Sequence, residues 1–536
     1  MKTIFKPSLW LALAAGVAMT GCIDEVQPSS SVSQEQLDSS IKAAEASIYA
    51  MPGYMPNYDT SGYDPGSTSH IDFGYSSFMH VRDCMTGDMP KPPTGYDRYS
   101  LWAEAYVTDG LAYTQLIWNY YYKQILTTNL AAKNYDKDSE NPVVRGARAV
   151  AMAFRAMLYL DLARWYEFLP NEMTSSTTAE GNNVLNLTVP IVTEETTEED
   201  ARNNPRATRE KMFEFIKSDL DYAVENIDYS TFSSRTLPDK GCAYGLLARL
   251  YMWVEDYTKA AEYADLAISA SGCTPLSQAA WTDPASGFNS VNGAWMWAMK
   301  FEKENDAVQT AICNWISMVS NEALFGYAGV GATVFIDKSM YDRISDTDFR
   351  KLSWVAPAGS PLADKISYCN PSVSKKAYAS VKFRPGEGNI STYDVGSAVA
   401  VPLMRVEEMY LIKAEALAHG NVAAGKTAIE DFMKYRDPEY SCTATSQDDL
   451  VEEIVFQKRV ELWGEGQTLF DLKRLNYSVT RAYPGTNWRQ DFRYNTKGRP
   501  AWMNMVIIRS EGNNNAAIKG WNNPNFADLY TPITGV

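Results

Sequence analysis

Residues 238–271 carry two consecutive helical patterns whose apolar faces fit against each other. Tyr244, Leu247, Ala248 and Tyr251 fall on one face of the first helix, at the steps of three and four that line up side chains along a helix. Asp256 and Tyr257 turn the chain, and Ala260, Ala264 and Ala267 line one face of the returning helix. Small residues on the second helix let the backbones approach closely, while the large ones on the first fill the groove. A later segment repeats the steps, with Tyr410, Ala414 and Leu417 spaced as Tyr244, Ala248 and Tyr251 are. A pair of this kind leaves another face uncovered, so the pattern predicts a stack of pairs.

The two occurrences resemble the tetratricopeptide helix–turn–helix repeat. Periodicity predicts further helices at 34–51, 101–130, 142–168, 207–227, 403–419, 424–436 and 447–475. Residues 52–100 and 170–205 are rich in loop-forming and polar residues, and the tail from 476 is again loop-like. Between about 275 and 400 the pattern changes to short strands and loops with many Gly, Pro, Asn and aromatic residues. The expected fold is mainly α: a tetratricopeptide-like scaffold over about 34–272 and 403–475, packed against an irregular, loop-rich region with short strands.

The first residues give an address. Lys2 and Lys6 precede an apolar run from Leu9 to Met19, closed by Thr20, Gly21 and Cys22. That order predicts a secretory signal too short to span a bilayer. A cysteine directly after the small pair resembles bacterial lipoprotein signals. By that resemblance residues 1–21 are removed, Cys22 becomes the lipidated first residue, residues 22–33 form a tether, and 34–536 form the folded domain. Outer-membrane lipid is then a partner through the anchor, since each buried acyl CH₂ contributes about 0.8 kcal/mol. Without Lys2 and Lys6, 47 basic side chains face 65 acidic ones, a net charge of −18. Such a body is repelled by phosphate backbones, so no nucleic-acid partner is expected.

Reactive chemistry has few candidates. Most zinc sites and Ser-His or Cys-His mechanisms need histidine, and the chain has only His70, His80 and His419. The six cysteines other than Cys22 (Cys84, Cys242, Cys273, Cys313, Cys369 and Cys442) include no C-x-x-C pair and read as buried thiols. Glu461 and Glu465 have an i,i+4 spacing open to glycosidic hydrolysis. Their neighbours Lys458, Arg459, Asp471, Lys473 and Arg474 make them read instead as ion pairs about the Gly464-Glu465-Gly466 turn. No catalytic residue and no resident metal is predicted.

Aromatic residues are abundant, with 33 Tyr and 14 Trp. A flat ring meets the C–H face of a sugar, and polar side chains beside it meet the hydroxyls. Two loop regions supply both: Tyr54 to Trp102, and Trp281 to Tyr327 with Asn305, Gln309, Asn314 and Trp315. From these, Tyr75, Asp83, Tyr96 and Trp315 are the expected ligand-binding residues. Trp295 and Trp297 share strand parity and read as core, as do the helical Trp102, Trp118, Trp165 and Trp253. Asp83 and Asp88 are loop-turn acids or a weak calcium site, with no other cofactor in prospect.

Several stretches, in chain order, resemble the RagB/SusD family of outer-membrane nutrient-binding lipoproteins of Bacteroidetes. Phe154-Arg155-Ala156 through Asp161-Leu162-Ala163-Arg164-Trp165-Tyr166 looks like the family's Arg-Ala helix leading to a proline, here Pro170, with Glu167 where the family has glycine. Val189-Pro190-Ile191-Val192, Pro205-Arg206-Ala207-Thr208 and Asp219-Leu220 are similar to its next block. Arg405 to Ile412, then Ala414-Glu415-Ala416-Leu417, resembles a late repeat helix. Lys458-Arg459-Val460-Glu461-Leu462-Trp463-Gly464-Glu465-Gly466-Gln467, continuing to Arg474, is the most specific match, whereas Ile507 to Asn513 departs from the family's tail. The resemblance implies a non-catalytic surface lipoprotein that captures an oligosaccharide on a platform built from an early loop and a middle segment. It would pass the ligand to a SusC-like TonB-dependent transporter. The alternatives are a carbohydrate-cleaving surface lipoprotein and a peptide- or protein-binding repeat scaffold.

Overall fold

The computed structural model describes residues 41–57, 70–91, 108–371 and 376–536, so Cys22 and the tether lie outside the described residues. The chain divides into two units, Met1–Ala46 and Ser47–Val536. Of the first, residues 41–46 are described and are helical. The second unit is mainly α-helical, as the sequence predicts.

Its elements, in order, are the later turns of α1 (Ile41–Tyr54), α2 (Tyr75–Cys84), α3 (Ala112–Lys133), α4 (Pro142–Tyr166), α5 (Arg209–Asn226), α6 (Lys240–Trp253) and α7 (Tyr257–Ser271). Then come β1 (Trp295–Lys300), α8 (Trp315–Val319), β2 (Ala400–Arg405), α9 (Val406–Gly420), α10 (Val422–Met433), α11 (Gln447–Glu461) and α12 (Thr468–Arg474). Helix starts follow from local chemistry. Asn141 accepts the Val143 N–H ahead of a helix opened by Pro142, and Thr208, Asp239, Asp256, Asn421 and Ser446 cap α5, α6, α7, α10 and α11 in the same way. Gly272 ends α7 in the left-handed conformation, at φ 61°.

The helices stack as one array. α3 lies on α4, α4 on α5, α5 on α6 and α6 on α7; α7 then packs on α9, which carries α10 and α11. The array is continuous in space but broken in sequence by residues 272–405. Ala260, Ala264 and Ala267 are fully buried, as the pairing requires. Both pairs gain closeness from glycine: a Cβ on Gly241 of α6 would stand 2.9 Å from Ser271 Cα, and one on Gly425 of α10 would stand 2.6 Å from Ala418 Cα.

β1 and β2 form an antiparallel pair running from Trp295 opposite Arg405 to Lys300 opposite Ala400, and β2 leads directly into α9. Both predicted core tryptophans of β1 are buried. β2 differs from the expected helix start at 403: its six residues, Pro402 among them, are all buried, so no alternation marks it as a strand. The described part of 275–400 is loops and short helical turns, the irregular region that the sequence predicts, with β1 and part of β2 as its short strands. Of the six cysteines, five are buried.

A buried ion cluster ties the array to the inserted region. Glu461, at the end of α11, accepts Arg405 Nη1 at 3.0 Å and Arg436 Nη2 at 2.9 Å on one oxygen. Its other oxygen accepts Arg436 Nε at 2.8 Å and Arg350 Nη1 at 3.1 Å. Glu465 takes Arg405 Nε at 2.8 Å and Lys382 Nζ at 2.7 Å, and Glu407 pairs with both Arg405 and Arg436. Burial alone would raise the Glu461 carboxyl, but Arg436, Arg405 and Arg350 hold it well below the usual carboxylate range. Within the 458–474 segment Asp471 pairs with Lys458 and Arg474, as expected. The two glutamates instead find their cations on other elements.

A second cluster gives a pH dependence. Glu415 of α9 is sealed against Arg474 of α12; burial pushes its carboxyl up, and the guanidinium brings it down to about 2. A depressed carboxylate contributes stability that is complete above its unfolded value, near 4.5, and is lost as pH falls through its folded value. Glu415→Gln is therefore expected to flatten the loss of stability between pH 4.5 and 2 by roughly 3 kcal/mol. Urea midpoints across that window check it; an unchanged slope would contradict it.

Candidate surface at the junction of the early and middle segments

The two loop regions that the sequence singles out meet in space. His70 Nδ1 and the Tyr327 hydroxyl share a hydrogen bond at 2.6 Å. Further along, Phe335 N–H donates to Pro90 O at 3.1 Å and Asp337 N–H to Asp88 O at 3.0 Å, so residues 88–90 run beside 335–337. Trp463 Nε1 also donates to Asp88 O, at 3.0 Å, and Arg459 grips the Asp88 carboxylate, which fastens this strip to the end of α11.

Beside the His70–Tyr327 bond the surface is apolar. Leu324 is 61 % exposed and Val330 78 %. Leu324 N–H donates to Ile390 O at 2.8 Å, which brings in residues 389–396. Phe325, half-buried, lies on Gly396, where a Cβ would stand 2.9 Å from its ring. Glycine is thus required for that contact. One turn earlier Tyr393 is 37 % exposed, and the short helix Asp306–Gln309 packs against the turn that carries it. Gln309 is exposed, its Nε2 donating to Lys303 O at 2.6 Å, and Lys303 pairs with Asp394 at 2.6 Å. An aromatic and aliphatic strip edged by an amide and an ion pair is chemically suited to a ring with polar edges.

The expected contacts fall elsewhere. Tyr75 opens α2, all ten residues of which are buried, and its hydroxyl donates to Asp161 Oδ2 at 2.5 Å. Burial and the Asp161 carboxylate push that phenol up to about 12. Tyr121, Arg82 and Arg164 donate to the same carboxylate, so Asp161 in the Arg-Ala helix holds α2, α3 and α4 together. Asp83 is buried and accepts the Gly466 N–H at 2.9 Å; burial raises its carboxyl well above the ordinary value. Trp315 is fully buried in α8, edge-on to Phe383 at 5.2 Å. These three are inside the fold, with no ring or carboxylate face turned outward. Tyr96 lies outside the described residues. Sequence patterning does not single out Phe325 or Tyr393, although Tyr393 is an aromatic in the polar run Ser391-Thr392-Tyr393-Asp394.

The Glu461–Glu465 and Cys84–His80 pairs are buried. Glu461 and Glu465 are held in the buried ion cluster. Cys84 Sγ lies 3.9 Å from His80 Nε2, but Lys91 Nζ stands 2.9 Å from that same nitrogen, and burial followed by Lys91 keeps the imidazole well below its usual range. Among the described residues no group of three or more His, Cys, Asp or Glu is placed to hold a metal ion, and no helix is long and apolar enough to cross a membrane.

The chain thus joins a helical-repeat array to an inserted, loop-rich region through buried ion pairs. The family model described as starch-binding and associating with the outer membrane matches residues 28–252, and the SusD family model matches residues 369–533. The chain belongs to the SusD/RagB family. Its structure is similar to that of a SusD-like carbohydrate-binding protein from Bacteroides vulgatus, with 22 % identity over 89 % of this chain and 96 % of that one and a TM-score of 0.70. A SusD superfamily protein from Bacteroides thetaiotaomicron matches at 18 % identity over 90 % and 99 %, with a TM-score of 0.66. A laminarin-binding SusD-like protein matches at 16 % over 90 % and 99 %, with a TM-score of 0.60. No curated protein matches the sequence.

Proposed function

We propose that this chain is a lipid-anchored, surface-exposed glycan-binding protein of the outer membrane, which captures an oligosaccharide and delivers it to a SusC-like TonB-dependent transporter. Binding, without bond-making chemistry, is its whole task. The family supports the class, being described as starch-binding and associated with the outer membrane. The observation that carries the site is the exposed Tyr393 beside Phe325 and Gln309, next to the His70–Tyr327 bond that joins the early and middle segments.

A glycan-array screen of the chain beginning at Ile23, followed by calorimetry on the best ligand, tests this. Tyr393→Ala and Gln309→Ala are each expected to weaken that ligand roughly tenfold, the share of one stacking ring or one hydrogen bond. Both side chains are exposed, so the melting temperature should barely move. Unchanged affinity in both variants would refute the site. Reducing ends released at catalytic rates would refute the non-enzymatic reading.

A further inference from the structure

The end of α4, the start of α5, the turn between α6 and α7, and α12 together enclose a cavity of about 120 Å³. Five cations line it, in a chain whose net charge is −16. Two of them have counterions of their own: Arg164 pairs with Asp161, and Arg474 with Glu415 and Asp471. Arg209, Lys473 and Arg499 remain, and one buried carboxylate, Glu167, stands among them; Glu255 is exposed at the rim.

Glu167 does not satisfy the three. Its Oε2 accepts the Trp253 indole N–H at 2.8 Å, while its Oε1 lies 3.5 Å from Arg209 Nε and accepts no hydrogen bond. Lys473 is 2 % exposed and donates only to the carbonyls of Trp165 and Glu167, at 3.0 and 2.7 Å. Arg499 spends Nε on Asn476 Oδ1 at 3.1 Å, and neither of its Nη atoms meets an acceptor among the described residues. Arg209 gives Nη2 to Trp253 O, and its Nη1 is likewise unspent. Like charges confined away from water repel strongly unless an anion sits between them.

We propose that this cavity binds a tetrahedral oxyanion, a sulfate or phosphate group, held between Arg209, Lys473 and Arg499. Guanidinium and ammonium donors converging on one small space match the acceptors of such a group. Burial, followed by the neighbouring arginines, keeps Lys473 well below its usual range, and burial lowers Arg499, so an incoming anion relieves both. Glu167 is its internal competitor for the same cations. The oxyanion is either a free inorganic ion or the sulfate ester of a glycan whose sugar stays outside the mouth.

Calorimetry and thermal unfolding of the chain beginning at Ile23, with sodium sulfate, sodium phosphate and galactose 6-sulfate, test this against sodium chloride at matched ionic strength. Saturable binding of at least one oxyanion is expected, with a melting temperature that rises with it and not with chloride. Arg499→Gln should weaken binding roughly tenfold, the share of a charge-assisted hydrogen bond. Glu167→Gln keeps the shape and the acceptor for Trp253 and should tighten binding. Galactose 6-sulfate binding as well as sulfate supports an ester ligand, and binding of the free ions alone supports an inorganic one. No saturable binding beyond chloride, or binding that both variants leave unchanged, overturns the proposal. Tyr393→Ala should leave this binding intact, so it stands or falls separately from the glycan surface.

Discussion

Glu461→Ala should be among the most damaging single substitutions in the protein. It would leave Arg350, Arg405 and Arg436, all fully buried, facing one another without the carboxylate that four hydrogen bonds converge on. Breaking a buried pair by removing one partner costs about 3–5 kcal/mol, because a charge stays uncompensated out of water. With a total stability of about 5–15 kcal/mol, that is enough to leave much of the chain unfolded at modest temperature. Glu461→Gln keeps the acceptor oxygen and loses only the charge, so it should fall between. Urea unfolding ranks the three; a Glu461→Ala variant within about 1 kcal/mol of the parent would show that Asp348, Glu407 and Glu465 neutralise the cluster without it.

Gly466→Ala is expected to be comparably harmful for a steric reason. Gly466 has φ 68°, a region costly to residues with a Cβ, and the added carbon would stand 2.5 Å from Met79 Cα and 2.8 Å from Met79 O. Backbone meets backbone there, in the middle of the fully buried α2, so relief requires moving that helix. Doing so also pulls Asp83 from the Gly466 N–H. The expected loss exceeds about 3 kcal/mol, combining backbone strain with overpacking. Gly464→Ala, at φ 78°, meets the ring of Phe383 at 2.4 Å; a side chain yields more readily, so its loss should be smaller. Equal losses in chemical denaturation would undercut this distinction.

The helices were readable because their causes are local. Caps such as Asp239 and Asp256 precede them, small residues mark the close faces, and the two glycines announce the turn after α11. Tyr75, Asp83 and Trp315 were misplaced for the opposite reason. Segment 75–84 holds His, Arg and Asp and looks like a polar loop, yet Arg82 is neutralised by Asp161 and Asp83 is met by the backbone of Gly466, both far along the chain. Periodicity cannot register a partner at that separation. Trp315 begins a five-residue helix that is wholly buried, too short to display a face. Nothing local marks Tyr393 and Phe325, because their exposure depends on how residues 389–396 lie against 324–325, which only the fold decides.

The joint between α7 and α9 governs how this chain must fold. Each helix pair before it is a near neighbour in sequence, so α3 to α7 can assemble as soon as residue 271 exists. The side of α7 that packs on α9 then has no cover until α9 arrives, after the whole of 272–405 has been made. Contacts so remote raise the entropy lost before any reward, and slow the final step relative to an uninterrupted repeat protein. A chain stopped short of Gly420 would therefore carry a formed but sticky half-array, prone to pair with another copy of itself.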